Sequence, residues 1–416
     1  MHYDIIVIGA GPAGLSFARS LKTSGLRVLI LEKRPLEEIE TPEYDGRDLA
    51  LTHLSRRNML ELGLWQRIPE QNISFIREAK VLNGDSLLSL DFDAPREDGL
   101  PLGYMISNHH IRQACYDAIK DLENVTIMAG QSVSDVSTNA SNGRVTMEDG
   151  SEYTANLIVA ADSRFSETRR KVGIAADMRD FAHSAIVCRV THEKGHDNIA
   201  WEIFQYGRTL AILPQHDKQS SVVITVPGNQ VDEIMAMSAE EFAKDLATRF
   251  DHRLGEMELL SERHAYPLIG VHAKRFFTQR FCTIGDAAVG MHPVTAHGYN
   301  LGLRGQATLA RLIIKAKEQG RDIADPAMLR RYEMIHMRAT RPLYHGTNAL
   351  VRLFTDDSVP SRVLRSGVIR ASRLLPPVKW LIQKKLGEMD ETPSLFSKLP
   401  LLPSRLPRPG KSLFRP

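Results

Sequence analysis

Two stretches of this 416-residue chain carry residue types and spacings suited to holding a phosphate-bearing ligand. The first runs Asp4-Ile5-Ile6-Val7-Ile8 into Gly9-Ala10-Gly11-Pro12-Ala13-Gly14, an apolar strand ending in Gly-x-Gly-x-x-Gly. Each glycine has a separate reason. Gly9 permits a sharp turn, Gly11 lets backbone approach a pyrophosphate, and Gly14 lets the following helix close on the strand. Pro12 suits a first helical turn, where its missing N–H has no intrahelical partner to lose. Leu15, Ala18 and Leu21 give the helix an apolar face, and Gly25 is placed to end it. A second strand, Arg27–Leu31, delivers Glu32, an acid positioned to accept the hydroxyls of an adenosine ribose. This unit predicts a dinucleotide clamp without distinguishing FAD from NAD.

The second stretch is the strand Phe281–Ile284, then Gly285-Asp286-Ala287-Ala288, then His292-Pro293-Val294-Thr295-Ala296-His297-Gly298-Tyr299-Asn300-Leu301-Gly302 opening a helix to about Gln319, with Gly320 as its stop. The N–H groups of such a helix start favour an anion. Between the two lies a third candidate, the buried run Leu157–Ala161 breaking at Asp162-Ser163-Arg164. An acid at the carboxyl end of a strand is where an open α/β sheet contacts its ligand, and equally where a helix N-cap sits. Arg47, before Asp48-Leu49-Ala50-Leu51, is either a solvated surface cation or a contact to an anionic cofactor. His292 and His297 are five apart, not at the helical zinc spacing, so no metal is expected.

The elements needed to position these loops read as two interleaved units. Strands alternating with helices in 1–72, 104–180 and 270–345 predict a discontinuous Rossmann-like domain. Residues 73–103 with 181–269 are rich in short alternating strands, among them Ser184–Val190, Trp201–Gln205, Thr209–Pro214 and Ser220–Val226, and predict an inserted antiparallel-sheet domain able to wall a substrate pocket. Residues 346–416 predict a basic helical extension with a Pro-rich end. Hydrophobic residues at 43% and charged residues at 25% exclude a disordered chain. Net charge is only +3, but the last 72 residues hold 13 Lys and Arg against 5 Asp and Glu. No nucleic-acid motif accompanies that excess. Its alternation of Val351–Phe354, Val363-Leu364, Val368-Ile369 and Trp380–Ile382 with Arg and Lys fits either an anionic membrane surface, over 346–390, or a solvated helical layer on the first domain. Three scattered cysteines suit a reducing compartment, and no run reaches the length of a membrane span. Met1 stands three residues from the first strand. The expectation is a cytoplasmic protein, peripheral at the inner face of a bacterial membrane.

Taken together, the three loops resemble the flavin-dependent aromatic hydroxylases, the group A monooxygenases related to p-hydroxybenzoate hydroxylase, over roughly residues 3–320. Gly298–Arg304, Leu210–Pro214 and Leu350–Phe354 look most like the ubiquinone-biosynthesis hydroxylases of the UbiH, UbiF and UbiM type. The resemblance implies FAD bound by Gly9, Gly11, Pro12, Ala13, Gly14 and Glu32, with Arg47 and Arg112 lining the groove. Asp162 would lie at the pyrophosphate, Asp286 at the ribityl chain, and Gly298, Tyr299, Asn300 and Leu301 at the pyrimidine end of the ring. It also implies NAD(P)H as electron donor and an oxygen site edged by the backbone of Pro293. The reaction would be ring hydroxylation of a polyprenyl phenol or quinol, such as a demethoxyubiquinol, by a flavin C4a-hydroperoxide, possible contacts with other quinone-biosynthesis enzymes included. His297 and Tyr299 flank the flavin loop and are the candidates for proton transfer; packing or backbone hydrogen bonding is the plain alternative for each. Three features depart from the family pattern: Ser163 for glycine, Ala296-His297 before Gly298, and Gly305 where an acid is common. An FAD-dependent isoprenoid reductase or epoxidase, and an inactive flavin-bearing scaffold, are the competing readings; a halogenase lacks its Trp-x-Trp-x-Ile-Pro signature.

Overall fold

In the computed structural model, residues 1–83, 90–93, 99–205, 208–292 and 297–355 are described. The first sheet has a parallel centre ordered Phe281–Thr283, Glu152–Ala160, His2–Ile8, Val28–Glu32, Val125–Ala129. Ile5 pairs with both Leu157 and Val28, and Ile158 with Phe281. Helices cover this sheet, so its central strands are apolar on both faces; Ile5, Ile6 and Val7 are fully buried. The register brings the carboxyl ends of three strands to one edge, and with them Gly9, Asp162 and Gly285. The helix after the glycine turn is Pro12–Ser20, and Gly25 does not end it. The chain leaves the helix at buried Leu21 in a turn closed by Ser24, whose hydroxyl donates to the Leu21 carbonyl at 2.7 Å. Gly25 follows with φ +70° as the link into Val28–Glu32. The Asp149-Gly150 hairpin forms as expected, with Gly150 at φ +83°.

A second sheet runs Val289–Gly290, His264–Ala273, Ala176–His192, Gln219–Pro227, Arg208–Pro214, Ile199–Gln205, Glu78–Asn83, Leu90–Asp93, mostly antiparallel. Its chain segments lie between pieces of the first sheet. Membership crosses the boundaries expected at 180 and 269: Ala176–His192 is one strand, and Val289–Gly290 pairs with His264–Ala273. Alternation along the strands gives the sheet two different faces. Ile186, Cys188, Val190, Ile203, Leu210, Ile212, Val222, Ile224 and Val226 pack into one core with Phe242 and Leu246 of the helix Ala239–Arg249. The alternate residues form the other, inner face: Val187 packs with Leu268 and Val223 of the same sheet, and Ala200 with Ile76 and Met105 of a separate three-stranded sheet. The helix Pro326–Thr355 begins well before the extension expected at 346; the basic stretch beyond 355 lies outside the described residues.

Arg189 ties the second sheet to this third, three-stranded one, ordered Asp48–Leu51, Gly103–Ser107, Ser74–Ile76. It lies on the inner face and grips Asp48 through Nε at 3.0 Å and Nη2 at 2.7 Å, and its guanidinium also donates to the Ser107 hydroxyl. The Asp48 side chain is 0% exposed, so without Arg189 its charge would be buried unneutralised. Replacing Arg189 with Met should therefore lower the unfolding free energy by about 3–5 kcal/mol, and the Arg189→Met/Asp48→Leu double variant should recover most of it. Urea denaturation checks both; a single-variant loss under about 1 kcal/mol would place the pair among surface ion pairs.

Candidate functional site

The three glycine-and-acid loops meet at the edge of the first sheet in close contact. A Cβ on Gly9, whose φ is +111°, would lie 2.4 Å from the Ala161 carbonyl oxygen, and one on Gly14 would lie 2.1 Å from that of Gly9. A Cβ on Gly285 would strike Ala13 at 2.7 Å. Gly11 and Gly298 differ: an added Cβ would meet nothing within 4 Å at either. Backbone is thus packed shut on one side of the loops and open on the other.

Glu32 is buried at the end of its strand, where Oε2 accepts from the Ala10 N–H at 2.7 Å and Oε1 from the Arg34 N–H at 3.1 Å. Burial alone would raise its pKa, but these amides and the Arg34 guanidinium outweigh it and hold the carboxyl below the usual range. Burial also lowers the pKa of Arg112, helped by the nearby charges of Arg34 and Arg47. Arg112 donates to the Glu38 carbonyl at 3.1 Å. Arg47 is forked onto Asp45 and stands 5.5 Å over the Tyr266 ring, its side chain 47% exposed. Arg112 therefore lies within electrostatic range of Arg34 and Arg47, which are paired with Glu32 and Asp45.

Asp162 is not an N-cap: Ser166 caps the short helix Glu167–Lys171. One carboxylate oxygen of Asp162 accepts from the Thr168 hydroxyl at 3.0 Å, and the other is buried with no partner. Asp286 pairs with Arg164 at 3.3 Å while 41% of its side chain remains exposed. Arg169, 2% exposed, is a residue whose role sequence reasoning missed. Its Nη1 donates to the Ala287 carbonyl at 2.7 Å and to that of Arg164 at 3.4 Å, stitching the Asp162 loop to the Gly285 loop. Nothing local marks a cation so near a helix as buried.

At the helix Gly298–Glu318, His297 occupies the N-cap position and is buried, its carbonyl accepting from the Leu301 N–H at 2.9 Å. Asn300 spans to the Asp48–Leu51 strand, donating to the Ala50 carbonyl at 2.9 Å and accepting from the Thr52 N–H at 3.1 Å. Leu301 is core. The Tyr299 hydroxyl is buried, and burial beside Cys115 raises its pKa well above the ordinary phenol value. The shift holds the phenol in its protonated form. Pro293 and Ala296 lie outside the described residues. His292 is buried against Phe181, with its pKa pushed down to about 4 by burial, His183 and Arg164. Gly305 is accounted for by packing: a Cβ there would lie 2.7 Å from buried His336.

Open backbone at Gly11 and Gly298, an orphaned carboxylate oxygen at Asp162 and the cluster of Arg34, Arg47 and Arg112 suit a long, diphosphate-bearing dinucleotide. The FAD binding domain family matches residues 2–342, and the chain belongs to it as a flavin-dependent monooxygenase. Within that class it belongs with the ubiquinone hydroxylases. It is 48% identical over 390 residues to ubiquinone hydroxylase UbiM of Neisseria meningitidis serogroup C, covering 93% of this chain and 85% of the relative. It is 32% identical to ubiquinone hydroxylase UbiL of Rhodospirillum rubrum over 96% of this chain and 93% of that one. Among solved structures, p-nitrophenol 4-monooxygenase PnpA of Pseudomonas putida aligns with TM-score 0.74 at 18% identity, over 93% of this chain and 98% of the other. The flavin-dependent brominase Bmp2 aligns with TM-score 0.73 at 16% identity, over 94% of each. Two such different names on one fold mean that the architecture alone does not choose the reaction.

The depressed Glu32 pKa has a sign. Its contribution to stability is complete above the unfolded carboxyl value of about 4.3 and is lost as pH falls through the lower folded value. Thermal unfolding followed between about pH 3 and 5 should show a smaller acid-side decline in Glu32→Gln than in the parent. An identical decline in both would mean that Glu32 does not titrate as its hydrogen bonds require.

Proposed function

We propose that the chain hydroxylates the aromatic or quinol ring of a polyprenylated ubiquinone precursor, of the demethoxyubiquinol type, with NAD(P)H as electron donor. The observation that carries this reading is 48% identity, over nearly the whole chain, to a ubiquinone hydroxylase. A relative named 3-demethoxyubiquinol 3-hydroxylase, from Escherichia coli, is 26% identical over 89% of this chain and 95% of its own length. The apolar character of the second sheet's inner face around Val187, Val223, Leu268 and Ala200 is compatible with a prenylated substrate.

In this reading Gly9–Gly14 and Glu32 hold the adenosine end of FAD, Arg47, Arg112 and Asp162 the diphosphate region, and Asp286 the ribityl chain. The amides at the start of Gly298–Glu318 face the pyrimidine end of the ring. Bound FAD would supply the activation of molecular oxygen. The protein's part is to hold the substrate ring between the two sheets, exclude water there and manage the ring-hydroxyl proton. Tyr299 then serves to pack the loop. His297, buried at the helix start, sets the backbone geometry of that loop.

The basic excess of the last 72 residues supports a peripheral position at the inner face of the membrane, where a prenylated substrate resides, with 346–390 as the contact. Assembly with other quinone-biosynthesis enzymes would use the same face. Among the described residues no helix is long and apolar enough to cross a membrane.

Expression in bacterial strains lacking individual ubiquinone hydroxylases tests the reading. Ubiquinone should reappear in at least one strain as its demethoxy- or dehydroxy-intermediate disappears, followed by quinone extraction and mass spectrometry. Failure in every strain despite soluble, flavin-loaded protein would contradict it, and a change confined to the prenyl chain would favour the isoprenoid reductase or epoxidase alternative.

A further inference from the structure

Glu202 lies on the inner face of the second sheet, in the strand Ile199–Gln205, two strands from the sheet edge. On its strand Ile203 packs into the outer core with the helix Ala239–Arg249, whereas Ala200 packs with Ile76 and Met105, and Phe204 with Val81 and Leu353. Glu202 shares the side of Ala200 and Phe204. In register it stands opposite Ala211 and Val81; Ala211 stands opposite Val223, and Val223 opposite Val187. A Cβ on Gly46 would lie 2.8 Å from Val187, so the other end of this row meets the segment carrying Arg47. Three strand spacings, roughly 14 Å, separate Glu202 from that contact, enough for one substituted aromatic ring.

No hydrogen bond or ion pair engages the Glu202 carboxyl among the described residues. Among the described residues the groups facing it are Val81 and Ala211 alongside, Ala200 and Phe204 on its own strand, and the Ile76, Met105 and Leu353 packed against these, none of which titrates. Lys80 is turned to the other face, 5.2 Å over the Trp201 ring. The residue is mostly buried, neither core nor open surface, and burial pushes its carboxyl up to about 8. The carboxyl is thus partly reachable by solvent while its strand neighbours on that face, Ala200, Phe204, Val81 and Ala211, are all apolar. Left unpaired there, it costs stability that a hydrophobic residue would not, and its position is one where a proton acceptor is useful.

We propose that Glu202 is the catalytic residue that accepts the ring-hydroxyl proton of the aromatic substrate, an inference that rests on the hydroxylase reading above. The ring O–H bond breaks, its proton forms an O–H bond with the Glu202 carboxylate, and the electron pair stays on the ring oxygen, enriching the carbon to be hydroxylated. The proton returns to water when product leaves. A value near neutrality keeps both forms of the carboxyl accessible, as such a shuttle requires.

The test compares the FAD-loaded parent, Glu202→Gln and Glu202→Asp on a quinol precursor, following hydroxylated product from about pH 6 to 9.5. The parent should show a basic rising limb centred near 8. Glu202→Gln should lose the limb and fall about 100-fold or more in product turnover, with FAD content and donor-driven flavin reduction unchanged. Glu202→Asp should keep the limb at reduced rate. Infrared difference spectra of substrate-free protein give a readout independent of turnover: a protonated carboxyl band that titrates near 8 in the parent and is missing in Glu202→Gln. A hydroxylating parent with an unaffected Glu202→Gln variant, or no such band, overturns the assignment of Glu202 alone. A parent that makes no hydroxylated product overturns the hydroxylase reading and this proposal with it.

Discussion

The guanidinium of Arg169 is the tie on which the site depends. It is buried, and it satisfies two backbone carbonyls, those of Ala287 and Arg164, that belong to different loops at the ends of adjacent parallel strands. Charge-assisted hydrogen bonds to carbonyls in a dry environment are strong, and losing the donor would leave both acceptors unsatisfied. With the loops fixed by Arg169 and by the Arg164–Asp286 pair, Gly285 is pressed against Ala13. The glycine turn, the Asp162 loop and the Gly285 loop thereby form one rigid rim.

From that rim the rest follows in steps. The parallel sheet sets the three loops side by side, and the helix beginning at Gly298 packs along Pro12–Ser20, where Ser20 donates to Gln306 at 2.9 Å. Asn300 spends its side chain on Ala50 and Thr52, so the flavin loop and the Asp48–Leu51 strand hold each other. Asp48 in turn is gripped by Arg189 of the second sheet. A chain of polar ties thus runs from the dinucleotide clamp to the inner face opposite it, which carries Glu202.

The parts of this arrangement legible in the sequence were those set by local rules. Gly9, Gly11 and Gly14 are constrained by a turn of six residues, Glu32 by the length of one strand–helix–strand unit, and the Asp149-Gly150 hairpin by its own turn. The alternating strands of the inserted sheet were visible for the same reason. Gly25 was misread because a serine-closed turn ends the helix one step earlier. What could not be read were contacts between segments far apart in the chain: Arg169 with Ala287, Arg189 with Asp48, and the register that places Glu202 beside Ala211. The burial of the Tyr299 hydroxyl beside Cys115 is another such contact between distant segments.

The central claim is that this fold sets an oxygen-activating flavin against an aromatic ring on the inner sheet face. Incubating the purified protein with FAD, NAD(P)H and a demethoxyubiquinol-type quinol under ¹⁸O-labelled dioxygen tests it most directly. One labelled oxygen atom should appear on the ring of the product, with donor oxidised in proportion. Donor oxidation without label in the ring, or label from water instead of dioxygen, would contradict the account.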